Sequence, residues 1–194
     1  INKYSNLDFA YLVDLAIIDN YFRSIILEIS LDIEHYSKLK LLHCLENNKS
    51  EDGYSIVNDF MVNQGQNKQG IEKRILEKCN SCYVGDIIRH YDGNYPAWTL
   101  IEIISFGDYL KFYKFCADRW NDKDLLNDFY LMKDVKALRN AAAHNNCILN
   151  DITIKDSKHK TNHAVKISLK TIKHQRNDKH LSKEKTRQIV TLLY

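Results

Sequence analysis

Within Leu138-Arg-Asn-Ala-Ala-Ala-His-Asn145 an arginine and a histidine stand five residues apart, with an asparagine directly after the arginine. Arg139 carries a permanent charge on a planar fork of donors that suits phosphate or carboxylate oxygens. A histidine side chain exchanges a proton near neutral pH, so His144 can serve as acid or base. On a helix Asn140 and His144 share a face, whereas Arg139 and His144 diverge by about 140° and can flank one groove. With seven Arg and eight His in the chain, this Arg-to-His spacing arises by chance about 0.3 times, and the adjacent Asn makes the coincidence rarer. An architectural reading is equally open: a helix end where a cationic His offsets the dipole and the Arg extends to solvent.

Other residues offer less. Glu102 interrupts the apolar run Leu100, Ile101, Ile103, Ile104, where a carboxylate is costly without a partner. A salt bridge that orients Arg139 is expected, with a rim position facing water as the alternative. The five cysteines, Cys44, Cys79, Cys82, Cys116 and Cys147, are odd in number and irregular in spacing, which fits reduced thiols in a reducing compartment. Cys79 and Cys82 have metal-like spacing but no second ligand pair, so no metal or other cofactor is expected. The segment from Lys155 to Arg187 holds 11 Lys plus Arg against 3 Asp plus Glu, a net +8; 28 minus 25 for the whole chain leaves −5 elsewhere. Such segregated charge can grip a polyanion, and Lys166, Lys170 and Lys173 are the expected phosphate contacts; it can also be a solvated surface.

The elements that must position these residues follow from composition. At 194 residues, 44% hydrophobic and 27% charged, the chain has the balance of one globular domain. It lacks the ~20-residue apolar run of a membrane span, and its opening residues do not read as a signal peptide. A soluble, cytoplasmic protein is expected. Six Gly and one Pro are too few for the many tight turns of a β-fold, so the fold is expected to be all-α. Leu7 to Leu45 reads as one long helix or two in series. After a polar connection, a short segment reaches Met61, and Asn63 to Gly70 reads as a loop. Helices are expected over Ile71 to Cys79, Val84 to Tyr91 and, opened by Pro96, Ala97 to Cys116. Asn121 or Asp122 can cap a helix that runs to the His144 region and frays at Asn145-Asn146. Alternation from Val165 to Ile172 allows a strand or an extended basic arm, the three-or-four spacing of Lys166, Lys170 and Lys173 allows a helix, and Ser182 with Lys185 can open a last helix to Leu193. Residues 1–150 are thus expected to form the bundle, with 151–194 a basic segment and final helix packing on the same domain. Trp98, Phe106, Phe112 and Phe115 read as core, and Trp120 as the better candidate for stacking on a base.

Three segments together resemble a known family. Leu138 to Asn150 is similar to the Arg-Asn-x-x-x-His signature of the HEPN superfamily of helical domains. Tyr95-Pro-Ala-Trp-Thr-Leu-Ile-Glu-Ile-Ile-Ser-Phe-Gly107 and the pairs Asp19 with Arg23 and Ile33 with Glu34 resemble its Abi-like, abortive-infection branch. Phe22 stands where that branch has Leu, and Asn145 to Asn150 lacks the basic and aromatic positions of many members. Asn146 replaces a tyrosine that some HEPN toxins carry, so control through that tyrosine is not implied.

The resemblance implies a HEPN-like bundle acting as a metal-independent endoribonuclease in phage defence or a toxin–antitoxin pair. In it Arg139, Asn140 and His144 are catalytic, the substrate is RNA, and an RNA or protein antitoxin is a partner. RNA cleavage without metal needs a base, an acid and a cation at the phosphorus. One chain carries one such histidine, so a homodimer with two motifs lining one cleft is expected, Ala141 to Ala143 allowing close approach. The alternative is a non-catalytic RNA-binding or protein-interaction module on the same scaffold.

Overall fold

The computed structural model describes residues 8–170 and 180–194, and these are all-α. The helices are α1 (Phe9–Asn47), α2 (Ser55–Asn63), α3 (Asn67–Leu76), α4 (Gly85–Tyr91), α5 (Ala97–Ile103), α6 (Phe106–Arg119), α7 (Lys123–Ala143), α8 (His163–Lys170) and α9 (Glu184–Leu193). The first stretch is one helix, not two, because neither glycine nor proline interrupts it. Among the described residues no helix is long and apolar enough to cross a membrane.

The chain divides into two compact units, one of residues 34–129 and one of residues 1–33 with 130–194. The first holds α2 to α6 around a core that includes Ile56, Phe60, Ile71, Ile75, Leu100, Ile103, Tyr109 and Phe112, all essentially inaccessible. Phe60 meets Phe112 edge to face, centroids 5.1 Å apart. The expected helix from Ala97 to Cys116 is broken. Ile104 and Ser105 are extended, and Ser105 Oγ accepts the Asp108 amide at 3.1 Å while donating to Asp108 Oδ2 at 2.9 Å. This local N-cap outcompetes the continuous apolar pattern that made two helices read as one. Asp108 is buried and also takes two guanidinium hydrogen bonds from Arg74, both 2.9 Å, fixing α3 on α6. Burial alone would push its carboxyl up, but Lys111, Ser105 and Arg74 outweigh that and hold it below the ordinary Asp value.

The loop expected from Asn63 to Gly70 is shorter than its composition implied. Helix α3 begins at Asn67 and carries Gly70 in its interior, held there by burial of Ile71 and Ile75 one turn apart. Gly53 is where glycine is required: a Cβ there would lie 2.3 Å from the Trp98 ring. Trp98 itself is half-exposed, unlike Phe106 and Phe112, so only part of the expected aromatic core is core. Trp120 donates its indole N–H to Glu51 at 3.1 Å and is half-buried, which anchors it rather than freeing it to stack.

The second unit is built on the first half of α1 and most of α7. Ile26, Val135, Leu138, Ala142, Ile148 and Leu192 form its buried core, flanked by Phe22, Ile29, Ile33 and Ile189. The last helix α9 therefore packs on the helix that carries the Arg-Asn-Ala-Ala-Ala-His sequence. Arg187, 3% exposed, joins them. It ion-pairs with Asp134 of α7 and reaches Glu184 and Ser157 at 2.9 and 2.8 Å, which satisfies its buried donors. Of the strand, extended arm or helix left open after Val165, the structure has helix α8 up to Lys170. Asn162 Oδ1 caps it by accepting the Ala164 amide at 2.9 Å, and Thr161 and Val165 are buried and Leu169 half-buried, every fourth residue rather than every second.

Candidate functional site at the C-terminal end of helix 7

Helix α7 starts where Asp122 Oδ1 accepts the amides of Asp124 and Leu125 at 2.9 and 3.0 Å. It ends in a defined cap rather than a fray. Asn145 adopts φ 56°, its amide donates to Ala142 O at 3.1 Å, and the Asn146 amide donates to Ala141 O at 3.0 Å. This is the Schellman arrangement with asparagine in the left-handed position that usually favours glycine. His144 is the last residue before that reversal and still donates its amide to Asn140 O at 3.0 Å. Its side chain is exposed.

One turn of sequence later, two buried devices hold the chain. Asp19, fully buried in the first third of α1, accepts the amides of Ile148 and Leu149 on the same Oδ1 at 2.7 and 2.8 Å and pairs with Arg23. Burial would raise its carboxyl, but the two amides and the Arg23 guanidinium more than offset this and hold it below the ordinary value. From the other side, Lys185 Nζ donates to the carbonyls of Cys147, Ile148 and Asn150 at 3.4, 3.3 and 2.5 Å. A carboxylate thus grips the amides and an ammonium the carbonyls of the segment that follows His144.

Arg139 is half-buried and extends its Nη1 to Asn140 Oδ1 at 3.4 Å. Among the described residues no carboxylate lies within ion-pair distance of it. Glu102 lies in the unit of residues 34–129, on the rim. Its side chain is 59% exposed and lies 3.6 Å from Lys38, because the rim position leaves it enough water to need no buried cation. Arg139 and Asn140 are therefore brought together with His144 one turn beyond.

The basic segment is divided in its use. Lys183 pairs with Asp156 at 2.7 Å, Lys185 holds carbonyls and Arg187 is internal, so among the described residues these three cations of the segment serve the fold. Lys166 and Lys170 lie four apart on α8, hence on one face, the first half-buried and the second exposed. Lys173 lies outside the described residues. Asp19, Arg23 and Lys185 were missed as site residues by composition and charge counting. The available signal was an acid and a base four apart on the apolar seam of a helix, where an unpaired charge would be too costly.

The chain matches no curated protein and no solved structure at a significant level. A family model does match, over residues 1–150, and it covers α1 to α7 together with the Arg-Asn-Ala-Ala-Ala-His end and the segment that Asp19 holds. The chain belongs to the family of Abi-like proteins.

Proposed function

We propose that this protein is a metal-independent endoribonuclease of the HEPN type, acting in abortive infection or a toxin–antitoxin pair. The observation that carries the reading is the end of α7: an arginine with no carboxylate to neutralise it among the described residues, hydrogen-bonded to Asn140 one turn before an exposed histidine. The reaction is transesterification. A base removes the proton of the ribose 2′-hydroxyl, the 2′-oxygen bonds to the adjacent phosphorus, and the bond to the 5′-oxygen breaks as an acid protonates that oxygen. The products are a 2′,3′-cyclic phosphate and a 5′-hydroxyl. Arg139 places its charge against the phosphorane oxygens, where preorganised donors stabilise developing charge, and Asn140 orients the phosphate.

Acid and base act on opposite sides of the phosphorus, and each chain offers one His144. A homodimer supplies both, with two motif ends lining a shared cleft. Exposed Lys170 with Lys166 and Lys173 contributes attraction for RNA away from the chemistry. An antitoxin, RNA or protein, restrains the activity in the cytoplasm.

The test is incubation of the purified full chain with labelled RNA in EDTA and analysis of the product ends. Cyclic phosphate ends are expected. Intact RNA in a retarded complex reassigns the protein to RNA binding without cleavage.

A further inference from the structure

The unit of residues 34–129, all of which are described, holds a cavity of about 330 Å³ among α2, α3 and α4. Its floor is apolar and buried: Val57 and Met61 of α2, Ile75 of α3 and Ile88 of α4. The volume is that of a small ligand pocket, enough for one fused-ring heterocycle with its sugar. The end of α4 shapes the mouth. Asp92 and Gly93 adopt φ of 43° and 87°, a reversal that brings both of them and the buried Tyr95 to the cavity, which Asn58 of α2 also lines. Among the described residues neither the Asn58 amide nor the Asp92 carboxylate has a side-chain hydrogen bond or ion pair. The Tyr95 hydroxyl accepts the Gly93 amide. Burial pushes its pKa up, more than that amide lowers it, and the Asp92 charge adds to the rise, so it keeps a proton to donate at neutral pH. The cations at the rim are committed. Arg89 donates to the Cys79 carbonyl and pairs with Asp86, and Lys68 lies 3.7 Å from Glu72.

We propose that this cavity is a binding site for a guanine base, lying flat on the apolar floor with its Watson–Crick edge toward Asp92. Hydrogen bonds made over an apolar floor discriminate sharply, because a mismatched ligand leaves a desolvated group unpaired. A carboxylate presents two acceptor oxygens side by side. Among the unmodified RNA bases guanine alone sets two N–H donors, at N1 and N2, next to each other. Adenine and cytosine place a bare ring nitrogen beside the amino group, and uracil flanks its single N–H with carbonyls, so each turns an acceptor toward the second carboxylate oxygen. Guanine O6, adjacent to N1, takes the Asn58 amide or the Tyr95 hydroxyl. With the rim cations committed, a phosphate is left in solvent. The base can come from a free nucleotide or from an unpaired position of an RNA strand. No residue of α7 takes part, so the site holds whether or not His144 cuts RNA.

Calorimetric titration of the full chain with guanosine, inosine and adenosine reads the site directly. Guanosine should bind with a Kd of about tens of micromolar. Inosine, which lacks the N2 amino group, should bind at least about tenfold more weakly, and adenosine more weakly still. Guanosine mono- and triphosphate should bind no tighter than guanosine, since the phosphates gain no contact. Asp92→Asn keeps a residue type that tolerates the left-handed backbone. The variant should lose guanosine and gain xanthosine, whose C2 carries a carbonyl where guanine carries the amino group, an exchange that unfolding cannot produce. Two RNA hairpins that differ in one unpaired loop base, G or A, separate the sources. Displacement of guanosine by the G hairpin alone identifies a strand, and displacement by neither identifies a free nucleotide. Absence of saturable guanosine binding at millimolar concentration overturns the proposal. So does equal binding of adenosine, an unchanged preference in Asp92→Asn, displacement by both hairpins alike, or binding of agmatine, a guanidinium without a base, in place of guanosine.

Discussion

Asp19 and Ile148 are 129 positions apart in the chain and 2.7 Å apart in space, carboxylate oxygen to backbone amide. The bond belongs to a segment with no regular structure of its own, four residues beyond His144. Its partner is a buried charge, and that is why it has consequences for both stability and the site. Hydrogen bonds to charged acceptors are worth more than neutral ones, and removing one side of a buried pair leaves the other unsatisfied.

Asp19→Ala leaves two amides and the Arg23 guanidinium without their acceptor and should cost roughly 3 kcal/mol of unfolding free energy. Asp19→Asn should cost less, because its amide oxygen still accepts. Chemical denaturation monitored by circular dichroism checks both. If the segment positions His144, RNA cleavage by the folded Asn variant should fall with little change in RNA affinity.

The same residue gives a pH signature. Its folded carboxyl sits below the ordinary Asp value, so its stabilising contribution is complete above that value, near 3.9. The contribution is lost as pH falls through the lower folded value. The stability gap between wild type and Asp19→Asn should be constant from pH 7 to about 5 and should close below about 4. A gap that widens with acid would show that the carboxyl is held above its ordinary value.

His144→Ala should lower cleavage by 10² to 10⁴, the usual loss with a general acid or base. The side chain is exposed, so melting temperature should not change. Arg139→Lys keeps the charge and loses the planar fork, so kcat should fall more than binding. Mixing His144→Ala with Arg139→Ala protomers should restore part of the activity if each cleft draws on both chains.

Within the basic segment, Lys→Gln changes should separate into two kinds. At Lys166, Lys170 and Lys173 they should flatten the log–log salt slope of RNA binding by up to about 0.7 per lost contact and raise KM with kcat nearly unchanged. Lys185→Gln should instead lower stability, since it strips the carbonyls of Cys147, Ile148 and Asn150 of their shared donor. Salt titrations and thermal melts distinguish the two.

Ser105→Ala should cost about 1 kcal/mol through loss of the cap that starts α6. It removes the hydroxyl that both accepts from and donates to Asp108, and a denaturant midpoint measures the change.

How far the sequence could be read depended on whether a residue's role was local. The long helix α1, the Asp122 cap and the all-α class follow from spacing and from the scarcity of Gly and Pro. The break at Ser105 was also local, yet it was hidden because apolar residues continue through it on both sides. For Glu102 the sequence left a salt bridge and a rim position open, because an apolar run does not say which residue of a helix faces water. Asp19 and Lys185 were illegible as a pair: their shared target is an irregular segment distant from both in sequence, and no periodicity connects them. The segment after Val165 stayed open because eight residues fit a period of two and a period of 3.6 almost equally.

The unit that carries His144 is made of the two ends of the chain, residues 1–33 and 130–194. Leu192 lies in the same buried cluster as Ile26 and Leu138, and Asp19 waits for amides synthesised long after it. A nascent chain on the ribosome consequently has α1 without the partners that complete its unit until the codons of α9 have been read. Contacts of such sequence separation form late and slowly. The motif end is thus assembled only after α9 has been made, and a translation product truncated before α9 carries the Arg139 to His144 sequence without the packing that fixes it.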